Sequence, residues 1–266
     1  MRLDFVRVSP SKNMTVLIEN DVAPARYAEI ANKVMDYEFL NAEQVGFLVA
    51  PENKQSVLRL EMSGGEFCGN AVLSAAAYCS YKGLTKSNKF LLETSGSDVP
   101  LECVVEVKSP SYFKARAEMP HPISTEELAV SVNECVISGS VVKLDGITHF
   151  VTDYWPSSMD DFNSLIEAVT ERIDDKAIGV IPYRKLMEKE YEIWPFVYVK
   201  ETGSRFFEQA CGSGSLALGI YLSMKNKEYA LKIQQPGGII MVETGDKNYI
   251  STDVRFTSEG FVNLDM

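Results

Sequence analysis

The feature that most constrains this chain is a short pattern that it carries twice. Glu66-Phe67-Cys68-Gly69-Asn70 and Glu208-Gln209-Ala210-Cys211-Gly212-Ser213-Gly214 each set a cysteine just before a run of small apolar residues, Ala71–Tyr78 and Leu216–Leu222. Such runs favour helix, and a helix with almost no polar face is buried on most sides. The likeness extends downstream, where Leu92–Ser97 lies about as far beyond Cys68 as Gln234–Ile239 lies beyond Cys211. Each half is therefore expected to wrap its own buried helix, as an internal duplication. The boundary falls at Met119-Pro120-His121-Pro122, giving an N-terminal lobe over 1–118 and a C-terminal lobe over 119–266, with terminal strands free to cross over.

The remaining pattern fits that plan. Leu3–Val8 and Met14–Glu19 read as strands joined by a turn over Ser9–Asn13, and Tyr27, Ile30, Ala31 and Val34 mark one face of a helix from Pro24 to about Asp36. Strands follow at Val45–Ala50 and Ser56–Met62. In the second half, strands at Glu134–Val142 and His149–Val151 precede a helix over Ser158–Arg172, with further strands at Ile178–Ile181 and Pro195–Lys200.

A helix N-terminus presents unbonded N–H groups and the positive end of the helix dipole. A cysteine there is expected to have a lowered pKa, and the same N–H groups can hold a carboxylate and the charge that grows beside it when Cα loses a proton. Gly69 and Gly212 leave the backbone open to a ligand. Two such ends facing one cleft would set a base on one face of Cα and an acid on the other. Cys79, Cys103 and Cys135, inside apolar runs, read as core residues.

Bulk properties exclude other classes. The 26 basic and 37 acidic residues give a net charge of −11, which disfavours nucleic acid and anionic membrane as partners. Met1–Asn13 lacks the apolar core of a signal peptide, and no stretch approaches the roughly 18 apolar residues of a membrane span, so a cytoplasmic protein is expected. Five cysteines without repeated spacing, and two histidines, suggest neither a disulfide framework nor a zinc site.

With these motifs in view, the chain resembles the diaminopimelate epimerase-like superfamily of amino-acid racemases that use no pyridoxal phosphate. The resemblance covers nearly the whole chain and rests on Ser11–Thr15, Glu43–Phe47, Glu66–Asn70, Gly146–His149, Ala210–Gly214 and Gln235–Gly238. It implies an α/β (α+β) fold of two pseudo-symmetric lobes, each a curved, mostly antiparallel sheet around a central helix. It also implies a homodimer, a free amino acid as substrate and no cofactor. Cys68 and Cys211 would exchange thiolate and thiol roles with substrate handedness. Asn13, Gln44, Asn70 and His149 would line the cleft, and the N–H groups of Gly69–Asn70 and Gly212–Ser213 would cradle the α-carboxylate.

Several positions depart from diaminopimelate epimerases, whose additional Asn and Arg residues recognise the distal end of their substrate. Here the approach to Cys68 is shortened to Met62-Ser63-Gly64-Gly65, Ile147 and Ala177 stand where Asn is found, and Glu201-Thr202-Gly203-Ser204 lacks the Arg. The pattern is closer to the histidine racemases of the superfamily, of the kind that supply D-histidine for staphylopine-type metallophores. Glu43, Glu66 and Glu208 then become candidates for orienting the ammonium or imidazole of the substrate. The plainer alternatives are first-turn helix acids for Glu66 and Glu208, a core histidine for His149 and a turn residue for Asn13. Diaminopimelate epimerisation, or a non-catalytic binding or redox-sensing protein in which the two cysteines form a disulfide, are the competing functions.

Overall fold

The structure, a computed structural model, describes residues 1–200 and 203–265. The chain divides into two compact units, one of Met1–Met119 together with the segment from Ser251 onward, the other of Pro120–Ile250. The first stretch contains β1 (Arg2–Pro10), β2 (Thr15–Ile18), α1 (Tyr27–Met35), β3 (Gln44–Val49), β4 (Ser56–Met62), α2 (Gly69–Tyr81), β5 (Lys89–Thr94), β6 (Leu101–Ser109) and β7 (Tyr112–Met119). Next come β8 (Ser124–Val132), β9 (Cys135–Leu144), β10 (Ile147–Thr152), α3 (Met159–Thr170), β11 (Ala177–Met187), β12 (Glu190–Ile193), β13 (Phe196–Val199) and β14 (Ser204–Phe207). The last elements are α4 (Gly212–Asn226), β15 (Ala230–Gln235), β16 (Gly238–Glu243) and β17 (Asn248–Asn263).

In the first unit neighbouring strands pair in sequence from β1 to β7, and β17 pairs with both β1 and β7, so the sheet closes into a ring. The β2–β3 and β4–β5 pairs are parallel, which requires a crossover between their strands. The two crossovers go to opposite faces. α1 buries Tyr27, Ile30, Ala31 and Val34 against Val16, Ile18, Val45 and Phe47 on one face, with Tyr27 stacked on Phe47 at 3.9 Å between ring centroids. α2 lies on the other face, touching each of β1 to β7, and every residue from Gly69 to Cys79 is buried. Little space remains inside so small a ring, which is why the helix is built of Ala71, Ala75, Ala76 and Ala77.

The second unit repeats that wiring. β9–β10 is antiparallel, β10–β11 is parallel across α3, β11–β12 is antiparallel, β12–β15 is parallel across α4, and β15–β16 is antiparallel. The β13–β14 hairpin is an insertion, with β13 pairing to β11. α3 buries Phe162, Leu165, Ile166 and Val169 against Phe150, Ile178 and Val180, while α4 takes the central place, buried at Gly214 to Ile220. The α/β architecture of two matching halves expected from the motifs is thus present.

One expectation fails here. Cys135 is not a core residue but exposed. It opens β9 directly after a two-residue turn at Asn133 and Glu134, whose φ angles of +47° and +68° suit a tight hairpin, and it pairs with Val132 across that turn. The apolar run that follows it does not decide its side.

Candidate active site

Each cysteine is the N-cap of its central helix. Cys68 has extended backbone, φ −134° and ψ 107°, and its Sγ accepts the N–H of Ala71 at 3.4 Å. Cys211 repeats this with φ −114° and ψ 107°, its Sγ accepting the N–H of Gly214 at 3.2 Å. Sulfur thus stands where a serine or aspartate oxygen usually caps a helix.

In the first unit, the Cys68 thiol donates to Oε1 of Gln44 at 2.8 Å. Gln44 opens β3, and its N–H and that of Glu43 both bond to Met14 O, at 3.2 and 2.8 Å. Asn13 is fully buried and donates through Nδ2 to Oε2 of Glu43 at 3.2 Å, while the Met14 N–H reaches Oε1 at 3.3 Å. Part of Glu43 faces solvent, yet burial around its carboxylate raises its pKa, against the lowering effect of the Met14 N–H. The structure therefore gathers Asn13, Glu43, Gln44 and Cys68 into one bonded chain. Gly69 and Asn70 head α2 and are buried. Glu66 is exposed and folds back on its own loop, accepting the Gly64 N–H at 2.9 Å.

In the second unit, Cys211 is buried and held on every side. Its N–H donates to Oε1 of Gln235 at 2.6 Å, Gln235 Nε2 donates to Ser215 Oγ at 2.9 Å, and Ser215 Oγ donates to Cys211 O at 2.7 Å. The thiol also hydrogen-bonds to Glu208. Ser213 Oγ lies 3.6 Å from Sγ on one side and 2.9 Å from Nε2 of His149 on the other. His149 itself is fully buried in β10, behind Ser213.

The lowered thiol pKa expected at a helix start is not found at Cys211, whose pKa is pushed well up. Burial is the main cause and the Glu208 carboxylate the next, and together they outweigh the lowering by Ser213 and the Gly214 N–H. Both effects favour the protonated thiol at Cys211. His149 is neutral, its pKa lowered from 6.5 to about 3 by burial alone.

Three participants escaped the sequence reading. Gln235 was visible only as part of Gln-Pro-Gly-Gly, and Ser215 only as a small residue of the helix. Gly179 matters because a Cβ there would overlap the His149 ring, with Cε1 at 2.6 Å. Of the departure over Glu201-Thr202-Gly203-Ser204, the first two positions lie outside the described residues.

The family model for the histidine racemase CntK N-terminal domain matches residues 2–263. The chain belongs to that family. A histidine racemase of Fusobacterium nucleatum subsp. nucleatum is 32% identical over 270 residues, covering 98% of this chain and 97% of the relative. One from Staphylococcus aureus is 26% identical over 246 residues, covering 90% of this chain and 88% of the relative. A diaminopimelate epimerase of Caldanaerobacter subterraneus is 22% identical, covering 98% of this chain and 99% of the relative. Among solved structures, a probable proline racemase from Agrobacterium radiobacter has a TM-score of 0.72 at 10% identity, covering 99% of this chain and 93% of that one. That likeness concerns the fold of this histidine racemase family member.

Proposed function

We propose that the chain racemises free histidine with Cys68 and Cys211 as its two acid–base groups. The observation that carries the reading is the repeated N-cap cysteine, one at the head of the central helix of each matching unit, in a chain of the histidine racemase family. The thiolate of one cysteine takes the α-proton and becomes a thiol. The electron pair left at Cα is steadied through the carboxylate, which the N–H groups of Gly69–Asn70 and Gly212–Ser213 receive. The other thiol then delivers its proton to the opposite face and becomes a thiolate. The reverse reaction exchanges the two roles.

Asn13, Gln44 and Asn70 serve as substrate-side polar groups on the first unit. Glu43, Glu66 and Glu208 supply negative charge for a substrate with an ammonium and an imidazole. Glu208 has a second effect, since a carboxylate against the Cys211 thiol opposes its ionisation until a cation arrives between them. The enzyme works in this reading as a cytoplasmic homodimer without pyridoxal phosphate.

Incubation with a panel of L-amino acids and diaminopimelate in D₂O, followed by chiral chromatography and measurement of α-proton loss, tests the proposal. Exchange and inversion of histidine are expected. Turnover of diaminopimelate alone would move the assignment to the epimerases, and exchange with no amino acid would end the racemase reading.

A further inference from the structure

The second unit holds a buried polar group for which proton transfer at Cα has no direct use. His149 lies opposite Gly179 in the parallel β10–β11 pair, as Leu17 lies opposite Gly46 in β2–β3. The duplication thus offers an apolar core position at this point, and one unit fills it with leucine, the other with an imidazole. Such a replacement is costly unless the polar atoms find partners. Only one does: Nε2 meets Ser213 Oγ at 2.9 Å, whereas Nδ1 has no hydrogen-bond partner and packs against Gly179.

We propose that His149 is a positioning residue for Cys211, donating its Nε2–H to Ser213 Oγ and so turning the Ser213 hydroxyl proton toward Sγ. The tautomer follows from the surroundings. A proton on Nδ1 would be a buried donor with no acceptor, which folded proteins avoid more strictly than an unused acceptor. With the proton on Nε2, the Ser213 oxygen is already engaged as an acceptor, and its hydrogen is left for the sulfur 3.6 Å away. The arrangement matters most once Cys211 becomes a thiolate, because a hydrogen bond to an ion is stronger than one to a neutral group. Glu208 is the charged group bearing on this thiol, and it pushes the other way. His149 and Glu208 thus hold the same sulfur from opposite electrostatic sides, with the imidazole neutral throughout and out of substrate contact.

The inference rests on Cys211 as an acid–base group only for its effect on turnover, so the test reads the sulfur itself. Alkylation of Cys211 by iodoacetamide is followed against pH by peptide mass mapping, in a Cys68→Ser, Cys135→Ser background. Ser213→Ala and His149→Leu are each expected to slow alkylation about tenfold at a fixed pH near 8, the loss of roughly one hydrogen bond to an anion, and the double variant no further. Leucine suits the site because Leu17 occupies its counterpart. His149→Gln, which retains a donor near the Nε2 position, is expected to stay within about threefold of the parent, a loss of well under one such bond. Additive effects of the two changes, or unchanged alkylation in His149→Leu, would overturn the proposal. So would a raised KM for histidine at unchanged kcat in His149→Leu with both cysteines present, because that marks a substrate contact.

Discussion

The two cysteines share a backbone and differ in almost everything else. Cys68 is half-buried, and its thiol donates to the neutral amide oxygen of Gln44. Cys211 is buried, hydrogen-bonds to the Glu208 carboxylate, and stands beside the Ser213–His149 pair. Duplication conserved what a helix N-terminus does for a sulfur and left the neighbours free to diverge. Divergence is compatible with the proposed chemistry, in which the two directions of racemisation use the thiols in opposite roles.

The largest effect is expected from removing either sulfur. Cys68→Ser and Cys211→Ser should each lower kcat for both enantiomers by about 10²–10⁴-fold, the usual contribution of a general acid or base. Polarimetry on L- and D-histidine measures it. If one variant kept full turnover in both directions, the two sites would not be partners, and the comparison would reduce to one reactive and one structural cysteine.

A second contrast lies one layer below. Gly46 and Gly179 occupy matching positions, and neither has a positive φ, so the effect of adding a methyl is purely one of contact. At Gly46 a Cβ would meet Leu60 Cδ1 at 2.5 Å and Leu17 Cδ2 at 3.3 Å, ends of side chains that can turn. At Gly179 it would overlap the imidazole of His149, a flat ring anchored to Ser213. Gly179→Ala should therefore cost about 3 kcal/mol in a urea unfolding series and Gly46→Ala about 1–2 kcal/mol, within the usual range for overpacking. Equal costs would mean that His149 is no more firmly held than Leu17.

The same imidazole makes the second unit sensitive to acid. Its pKa is about 3 when folded and 6.5 when free, so between these values the unfolded chain binds a proton that the folded one does not. Stability from this source is complete above about pH 6.5 and falls as pH drops, at about 1.4 kcal/mol per pH unit. Between about pH 6.5 and 5 the loss from this imidazole should be about 2 kcal/mol. Denaturant midpoints across that window measure it, and His149→Leu should flatten the curve.

Sequence reading located what repeats and lost what depends on depth or distance. Both central helices and their cysteine caps were legible because small residues, glycine and cysteine recur in one order. The α1 face follows from spacing alone, as does the presence of α3. His149 enters the cleft list through the family resemblance alone; its full burial and its bond to Ser213, 64 positions away, are marked by no local pattern. β8 is absent from that reading although Leu128, Val130 and Val132 alternate inward, because the alternation starts only after the exposed Glu126 and Glu127 and is short. The tie between Cys211 and Gln235 spans 24 positions, and no local pattern announces it.

The smallest expected difference concerns two helix serines. Ser74 Oγ donates to Asn70 O within α2 at 2.9 Å, and Ser215 Oγ donates to Cys211 O within α4 at 2.7 Å. Bonds of this kind, from a helix serine to the carbonyl four residues earlier, contribute little, because that carbonyl is already within reach of a backbone N–H. For Ser74→Ala the change should stay within about 0.5 kcal/mol. Ser215 has one further role, accepting Nε2 of Gln235 at 2.9 Å while Gln235 Oε1 holds the Cys211 N–H. Ser215→Ala leaves that buried amide N–H₂ short of an acceptor, which should cost about 1–2 kcal/mol. It also frees Gln235 to turn, so Cys211 loses its fixed N–H partner. A fall in kcat for Ser215→Ala without one for Ser74→Ala is therefore expected, together with recovery in Ser215→Thr, which keeps the hydroxyl. If both alanine variants behaved alike, the Gln235–Ser215 clamp would have no bearing on the Cys211 cap.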